Sequence, residues 1–194
     1  MITESRQVNF TPCHCIFQHK LPDELSGRQA VFNRLWMLHP DEFPSIFLHG
    51  RQVALPRWQQ AYGRSYYFSG KSSAAKSIPG LLKPYLGWAQ QQIDQRLNGM
   101  LLNWYDGQAG HYIGAHRDST KGLLNDSSII MISLGGTRVM RFRSVSESGF
   151  IDLEIHNGDV IIMPLSTNKH FKHEIPRFKR HQDKRISITL RCFE

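Results

Sequence analysis

After Gly99 the chain changes rhythm, and that change limits the fold more than anything else in it. Short apolar or alternating runs follow one another at residues 100–105, 128–134, 138–143, 150–156, 160–163, 170–175 and 186–193. Between them fall turn residues: Asp106-Gly107, Gly135-Gly136, Ser148-Gly149 and Asn157-Gly158. Runs of this length with period-two patterning are strands, and so many in one stretch predict an antiparallel sandwich or barrel. Asn157-Gly158, between two such runs, is expected to be a hairpin turn.

The first half reads differently. Val31, Phe32, Leu35, Trp36 and Leu38 recur at helical spacing and predict a helix over 26–38 with Ser26 as N-cap. Leu81, Leu82, Tyr85, Leu86, Ala89, Ile93 and Leu97 predict a second helix over 79–98, with Pro84 in an early turn. At 194 residues there is room for one domain with a real core. No repeat, low-complexity run or long linker divides it. The expected class is α+β: helices first, a β jelly roll second.

Composition excludes several alternatives. Apolar residues at 40% and charged residues at 21% exclude a disordered chain. Cys13, Cys15 and Cys192 are too few and odd in number for a disulfide framework, which suits a reducing interior. Cys13-His14-Cys15 has no partner cluster and is taken as incidental rather than a zinc site. The start lacks a basic segment leading into an apolar run, and no stretch approaches the ~20 apolar residues of a membrane helix. The expectation is an intracellular, cytoplasmic protein with no membrane partner, nuclear if eukaryotic.

The chain carries 24 Lys+Arg against 16 Asp+Glu, a net +8. The excess sits at the two ends, while residues 101–164 are net negative. Residues 43–93 contain no Asp or Glu. They hold Arg51, Arg57, Arg64, Lys71, Lys76 and Lys83 among nine aromatics. Cations for phosphates and ring faces for stacking are what an exposed nucleic-acid base needs. Most of the nine rings should still be core, since only a few can be exposed without making a sticky surface.

Three His-x-Asp pairs occur where chance gives about half of one: His39/Asp41, His116/Asp118 and His181/Asp183. Spacing alone does not choose between them. Context does: His39 ends the first helix, and His181 lies in a basic loop with no later histidine. His116 opens the barrel and is followed, strands later, by His173. Two imidazoles and one carboxylate on neighbouring strands form the facial triad that binds non-haem Fe(II). Arg185 and Arg191 add to this. Their even separation puts them on one face of the last strand with Ser187 and Thr189, opposite Ile186, Ile188 and Leu190. Two inward arginines suit a dianionic ligand.

With those residues in place the chain resembles the AlkB family of Fe(II)- and 2-oxoglutarate-dependent dioxygenases, in its nucleic-acid demethylase branch. The resemblance is carried by residues 102–118, Ile132 to Gly135, Asn157-Gly158-Asp159, His173 and the Arg185/Arg191 pair. Upstream, residues 55–63 and 66–70 are similar to that branch's nucleotide lid. The match covers 45–194. It implies a double-stranded β-helix with N-terminal helices packed on one sheet. Residues 1–44 would be an extension and helix, 45–76 the nucleotide-recognition lid, and 77–194 the catalytic core.

The resemblance also implies Fe(II) on His116, Asp118 and His173. The co-substrate 2-oxoglutarate would lie on Asn103, Tyr105, Arg185, Ser187 and Arg191, with O2 as oxidant. It implies oxidative demethylation of N-alkylated bases in DNA, such as 1-methyladenine and 3-methylcytosine, for repair of alkylation damage. Formaldehyde, succinate and CO2 would be released by a monomer. Phe68 and His116 would sandwich the flipped base, with Tyr66 beside it. Arg51, Arg57, Arg64 and Lys71 would contact phosphates, and Leu48-His49-Gly50 aligns loosely with a duplex-probing hairpin.

Two departures stand out. Relatives often carry an acidic residue just after His-x-Asp, where this chain has Ser119-Thr120-Lys121. Ser187 stands where many have Asn. The first keeps open an oxygenase acting on RNA, a protein side chain or a lipid. A non-catalytic, nucleic-acid-binding barrel is the third reading.

Overall fold

The computed structural model describes residues 5–48, 51–68 and 71–194, without the side chains of Phe47, Leu48, Phe68 and Lys71. Strands Arg6–Thr11 (β1) and His14–Lys20 (β2) precede helices Asp23–Ser26 (α1) and Gln29–Trp36 (α2). Short strands follow: Ser45–Leu48 (β3), Arg51–Ala54 (β4), Trp58–Tyr62 (β5), Tyr66–Phe68 (β6), Lys71–Ser73 (β7) and Ala75–Lys76 (β8). Helix Lys83–Gln92 (α3) leads into Gly99–Asp106 (β9), Ile113–His116 (β10), Ser128–Gly135 (β11), Arg138–Ser144 (β12) and Ile151–Ile155 (β13). The chain ends with Asp159–Pro164 (β14), Leu165–His170 (α4), Phe171–Ile175 (β15) and Lys184–Arg191 (β16).

Among the described residues a major sheet runs β1-β2-β14-β11-β16-β9-β5-β8, and a minor sheet runs β10-β15-β12-β13. This is the jelly roll the strand spacing predicts, with the helices on one face of the major sheet. The last strand shows why. Ile186, Ile188 and Leu190 point outward into a core shared with Leu35 and Trp36 of α2 and Tyr85 and Ala89 of α3. At about 1.5–3 kcal/mol for each large apolar side chain buried, that layer holds the helices against the sheet. The indole of Trp104 adds a bond to the Leu35 carbonyl at 3.0 Å. Arg185, Ser187, Thr189 and Arg191 are left facing the minor sheet. A second apolar layer, including Ile129, Met140, Phe142, Ile161, Met163 and Ile175, fills the rest of that gap. No helix among the described residues is long and apolar enough to cross a membrane.

The structure corrects four expectations. Asn157-Gly158 is a turn but not a hairpin: β13 pairs with β12 in the minor sheet, while β14 pairs with β11 and β2 in the major one. The turn carries the chain from one sheet to the other. Gly158 takes φ +79, and its N–H and C=O bond Ser133 and Leu21, each at 2.8 Å. Local turn chemistry does not specify which sheet the next strand joins. Ser26 ends α1 rather than capping α2: its hydroxyl donates to the Pro22 carbonyl at 3.2 Å, and α2 starts without a side-chain cap. The second helix spans only Lys83–Gln92. The apolar residues on either side of it, Leu82 and Leu97, are core without being helical.

The fourth correction concerns the ends of the barrel. Residues 1–44 contain a β-hairpin whose second strand zips onto β14, from Lys20 opposite Asp159 to Phe17 opposite Ile162. Within 45–76, β3-β4 and β6-β7 form separate hairpins, but β5 pairs with β9 and is a barrel wall.

Candidate active site

His116 and His173 face each other in register on β10 and β15, with ring centroids 4.4 Å apart. Asp118 lies just past the end of β10. Its Oδ1 is 3.3 Å from His116 Nε2 and 3.7 Å from His173 Nε2. The three donor atoms lie within 4.8 Å of one another, and no other group of three His, Cys, Asp or Glu does this among the described residues. Asn168 of α4 pins Asp118 by its backbone. It accepts from the Asp118 N–H at 2.9 Å and donates to its carbonyl at 3.0 Å.

The protonation states suit a metal. His116 Nδ1 donates to the Gly114 carbonyl at 2.9 Å, which turns Nε2 toward the site. Burial, reinforced by the charge of His116, pushes the pKa of His173 down to about 3, so its imidazole is neutral. Burial opposes ionisation of Asp118. Arg191, whose Nη2 is 2.5 Å from Oδ2, and the two histidines outweigh it and hold the carboxyl well below its ordinary range. Two imidazoles and one carboxylate are a donor set that fits Fe(II) with positions left open.

The triad opens onto a cavity of about 570 Å³ between the sheets. Arg185 is fully buried in its wall. Its Nε donates to Ser133 Oγ at 2.9 Å and its guanidinium lies 5.1 Å from the Tyr105 ring centre. Burial pushes its pKa down to about 10, and its Nη1 has no partner among the described residues. A buried donor left unpaired is costly, so this nitrogen marks a place for a ligand carboxylate. Ser187 and Asn103 are cross-strand neighbours, as are Arg185 and Tyr105. All four line the cavity with Arg191. The residues present therefore fit 2-oxoglutarate as well as iron.

The lid residues divide. Tyr66 is buried, accepts the Ser119 N–H at 3.0 Å and lies 4.2 Å from the Arg191 guanidinium, and burial pushes its phenol up to about 12. Arg51 and Arg64 are exposed. Arg57, expected on a phosphate, is instead buried in the cavity wall, bonding Asn103 Oδ1 at 2.8 Å and Gln59 Oε1 at 3.2 Å. The reason is alternation: Arg57, Gln59 and Ala61 share the inner face of β5 and its lead-in. Once that strand is recognised, the pattern locates both Arg57 and Gln59, whereas nothing in the sequence marks Asn168. His49 and Gly50 of the probing hairpin, and the side chains of Leu48, Phe68 and Lys71, lie outside what is described. Of the aromatics between 43 and 93, Tyr62, Tyr66 and Tyr85 are buried and Trp58 is half-buried between His39 at 4.2 Å and Phe43 at 4.9 Å, while Phe43 and Tyr67 are exposed.

Comparison with known proteins adds three findings. The family model of the 2OG-Fe(II) oxygenase superfamily matches residues 50–191. The chain is similar to proteins called DNA oxidative demethylase ALKBH2. With the Mus musculus protein it is 29% identical over 157 residues, 75% of this chain and 65% of the relative. With the Bos taurus protein it is 30% identical over 158 residues, 75% and 56% respectively. The chain thus spans roughly three fifths of the length of these relatives. Among solved structures it is similar to that of OsALKBH1, with a TM-score of 0.61 over 96% of this chain and 99% of that one. At 14% identity this likeness speaks for the fold alone.

Proposed function

The chain belongs to the AlkB family of the 2OG-Fe(II) oxygenase superfamily, and from that we propose that it oxidatively demethylates N-alkylated bases in DNA. The observation that carries the reading is the triad His116, Asp118 and His173 at the wall of a cavity that also holds the buried pair Arg185 and Arg191. The names of the ALKBH2 relatives support DNA as the substrate.

The three triad residues would hold Fe(II). Arg185, through its unpaired Nη1, would take one carboxylate of 2-oxoglutarate, with Asn103, Tyr105, Ser187 and Arg191 around the remainder. When bound, these groups and O2 supply the oxidation of an N-methyl carbon, released as formaldehyde while 2-oxoglutarate becomes succinate and CO2. The chain's own part is positioning. Asn168 fixes the Asp118 backbone, the Gly114 carbonyl orients the His116 ring, and Arg191 keeps Asp118 ionised. Ile129, Met131, Met140 and Met163 supply an apolar part of the wall. A base inside a duplex cannot enter such a cavity, so it must be flipped or already single-stranded.

The test is release of formaldehyde and succinate from single- and double-stranded DNA carrying N-methylated bases, with Fe(II) and 2-oxoglutarate supplied. Turnover is expected. Its absence in protein that binds both iron and 2-oxoglutarate overturns the reading.

A further inference from the structure

The charges lining the cavity are one-sided. Arg57, Arg185 and Arg191 are buried in its wall, and Arg117 also lines it. Among the described residues the cavity is lined by a single carboxylate, Asp118, already paired with Arg191. The lid residues outside the description cannot add another, because 43–93 contain no Asp or Glu. Fe(II) and the 2-oxoglutarate dianion cancel formally, so the loaded cavity keeps a positive excess.

A second observation is independent of charge. Gln59 is 6% exposed, lines the cavity, and has a buried Nε2 without a hydrogen-bond partner. Its orientation is not arbitrary. A guanidinium only donates, so the oxygen must face Arg57, as it does at 3.2 Å, and the NH2 is left over. A buried donor without a partner, in a wall facing ligand space, is matched by an acceptor on the ligand.

We propose, on the demethylase reading above, that the cavity selects an uncharged N-methylated base flanked by carbonyl oxygens, of the 3-methylthymine kind. Methylated amino bases such as 1-methyladenine and 3-methylcytosine carry a positive charge, and in 1-methyladenine the exocyclic group beside the methyl is a donor with no carbonyl on the other side. The first property meets the arginines and the second meets the Gln59 NH2, donor against donor. 3-Methylthymine, uncharged and flanked by two carbonyls, meets neither obstacle, and either oxygen satisfies the amide; 1-methylguanine escapes the charge but keeps an amino group on one side of its methyl.

The experiment compares kcat/KM on oligonucleotides of one sequence carrying each of the four lesions. 3-Methylthymine should be favoured over 1-methyladenine by at least about tenfold, the scale of one buried donor left unsatisfied. Gln59→Leu should lower 3-methylthymine kcat/KM by about tenfold, seen in KM as well as kcat, and should affect 1-methyladenine less. Ser119→Asp, which adds a carboxylate at the cavity wall, should move the preference toward the cationic lesions. Should either variant fail to fold, the wild-type ratio decides alone. Equal or better turnover of the cationic lesions overturns the selectivity and leaves the demethylase reading intact. Turnover of none, with 2-oxoglutarate still consumed, overturns both.

Discussion

At the scale of single residues, the site is a set of charges that hold one another in place. Asp118 is ionised because Arg191 sits on it, and His173 is neutral because it is buried. Removing one partner of a buried pair leaves the other uncompensated, so single changes here should be severe. His173→Ala should abolish Fe(II) binding and 2-oxoglutarate consumption, read by metal titration and succinate release; metal affinity within tenfold of wild type would contradict the assignment of His173 as a ligand. Arg185→Lys keeps the charge but loses the planar fork bonded to Ser133. It should raise KM for 2-oxoglutarate by about tenfold or more, with less change in kcat. An unchanged KM would place the co-substrate elsewhere. Arg185 and Arg191 were legible in the sequence because spacing on an extended strand determines face, and His116 and Asp118 because His173 follows them strands later. Asn168 was not. It acts through a contact fifty residues away in the chain, which no local pattern encodes.

At the scale of elements, the crossing turn at Asn157-Gly158 joins the two sheets, and two neighbouring segments bond to it. Gly158→Ala forces φ +79 on a residue with a Cβ and brings that carbon to 3.0 Å from Ser26. A loss of about 1–2 kcal/mol of stability is expected by urea unfolding, and a loss below about 0.3 kcal/mol would show the turn to be less constrained than described. Just beyond α3, Arg96 bonds Asp94 and Asp126. The hydrogen bond from Arg96 holds Asp94 at about 2, below its ordinary 3.8. A carboxylate with a depressed folded pKa stabilises the fold above its unfolded pKa, and that contribution is lost as pH falls through the folded value. Asp94→Asn should therefore be less stable than wild type at about pH 6, with the difference closing between about pH 4 and pH 2. A difference independent of pH would assign the effect to packing.

At the scale of the whole molecule, the net charge of +8 has more than one use. Arg57, Arg185 and Arg191 lie inside the cavity and do not contribute to an outer nucleic-acid footprint. The surface excess that remains, Arg51 and Arg64 included, should still make oligonucleotide binding fall with salt. A log–log slope of about −3 to −5 is expected from fluorescence anisotropy, on the basis of roughly one phosphate contact per unit of slope. A slope near zero would point to a substrate other than nucleic acid.

The sequence by itself determined the class of fold, most of the strands along the second half and the inward face of β16. These rest on period-two patterning and turn residues, which are local. It also singled out His116, Asp118 and His173, because their residue types and order suit one metal chemistry. Only the tertiary structure decided what depends on distant pairing. It put the strand after Asn157-Gly158 in the other sheet, made β2 and β5 members of the major sheet, and turned Arg57 from a presumed phosphate contact into a wall of the cavity beside Gln59. The physical reason is the same in each case: backbone conformation is set within a few residues, whereas sheet membership and burial are set by partners tens of residues away.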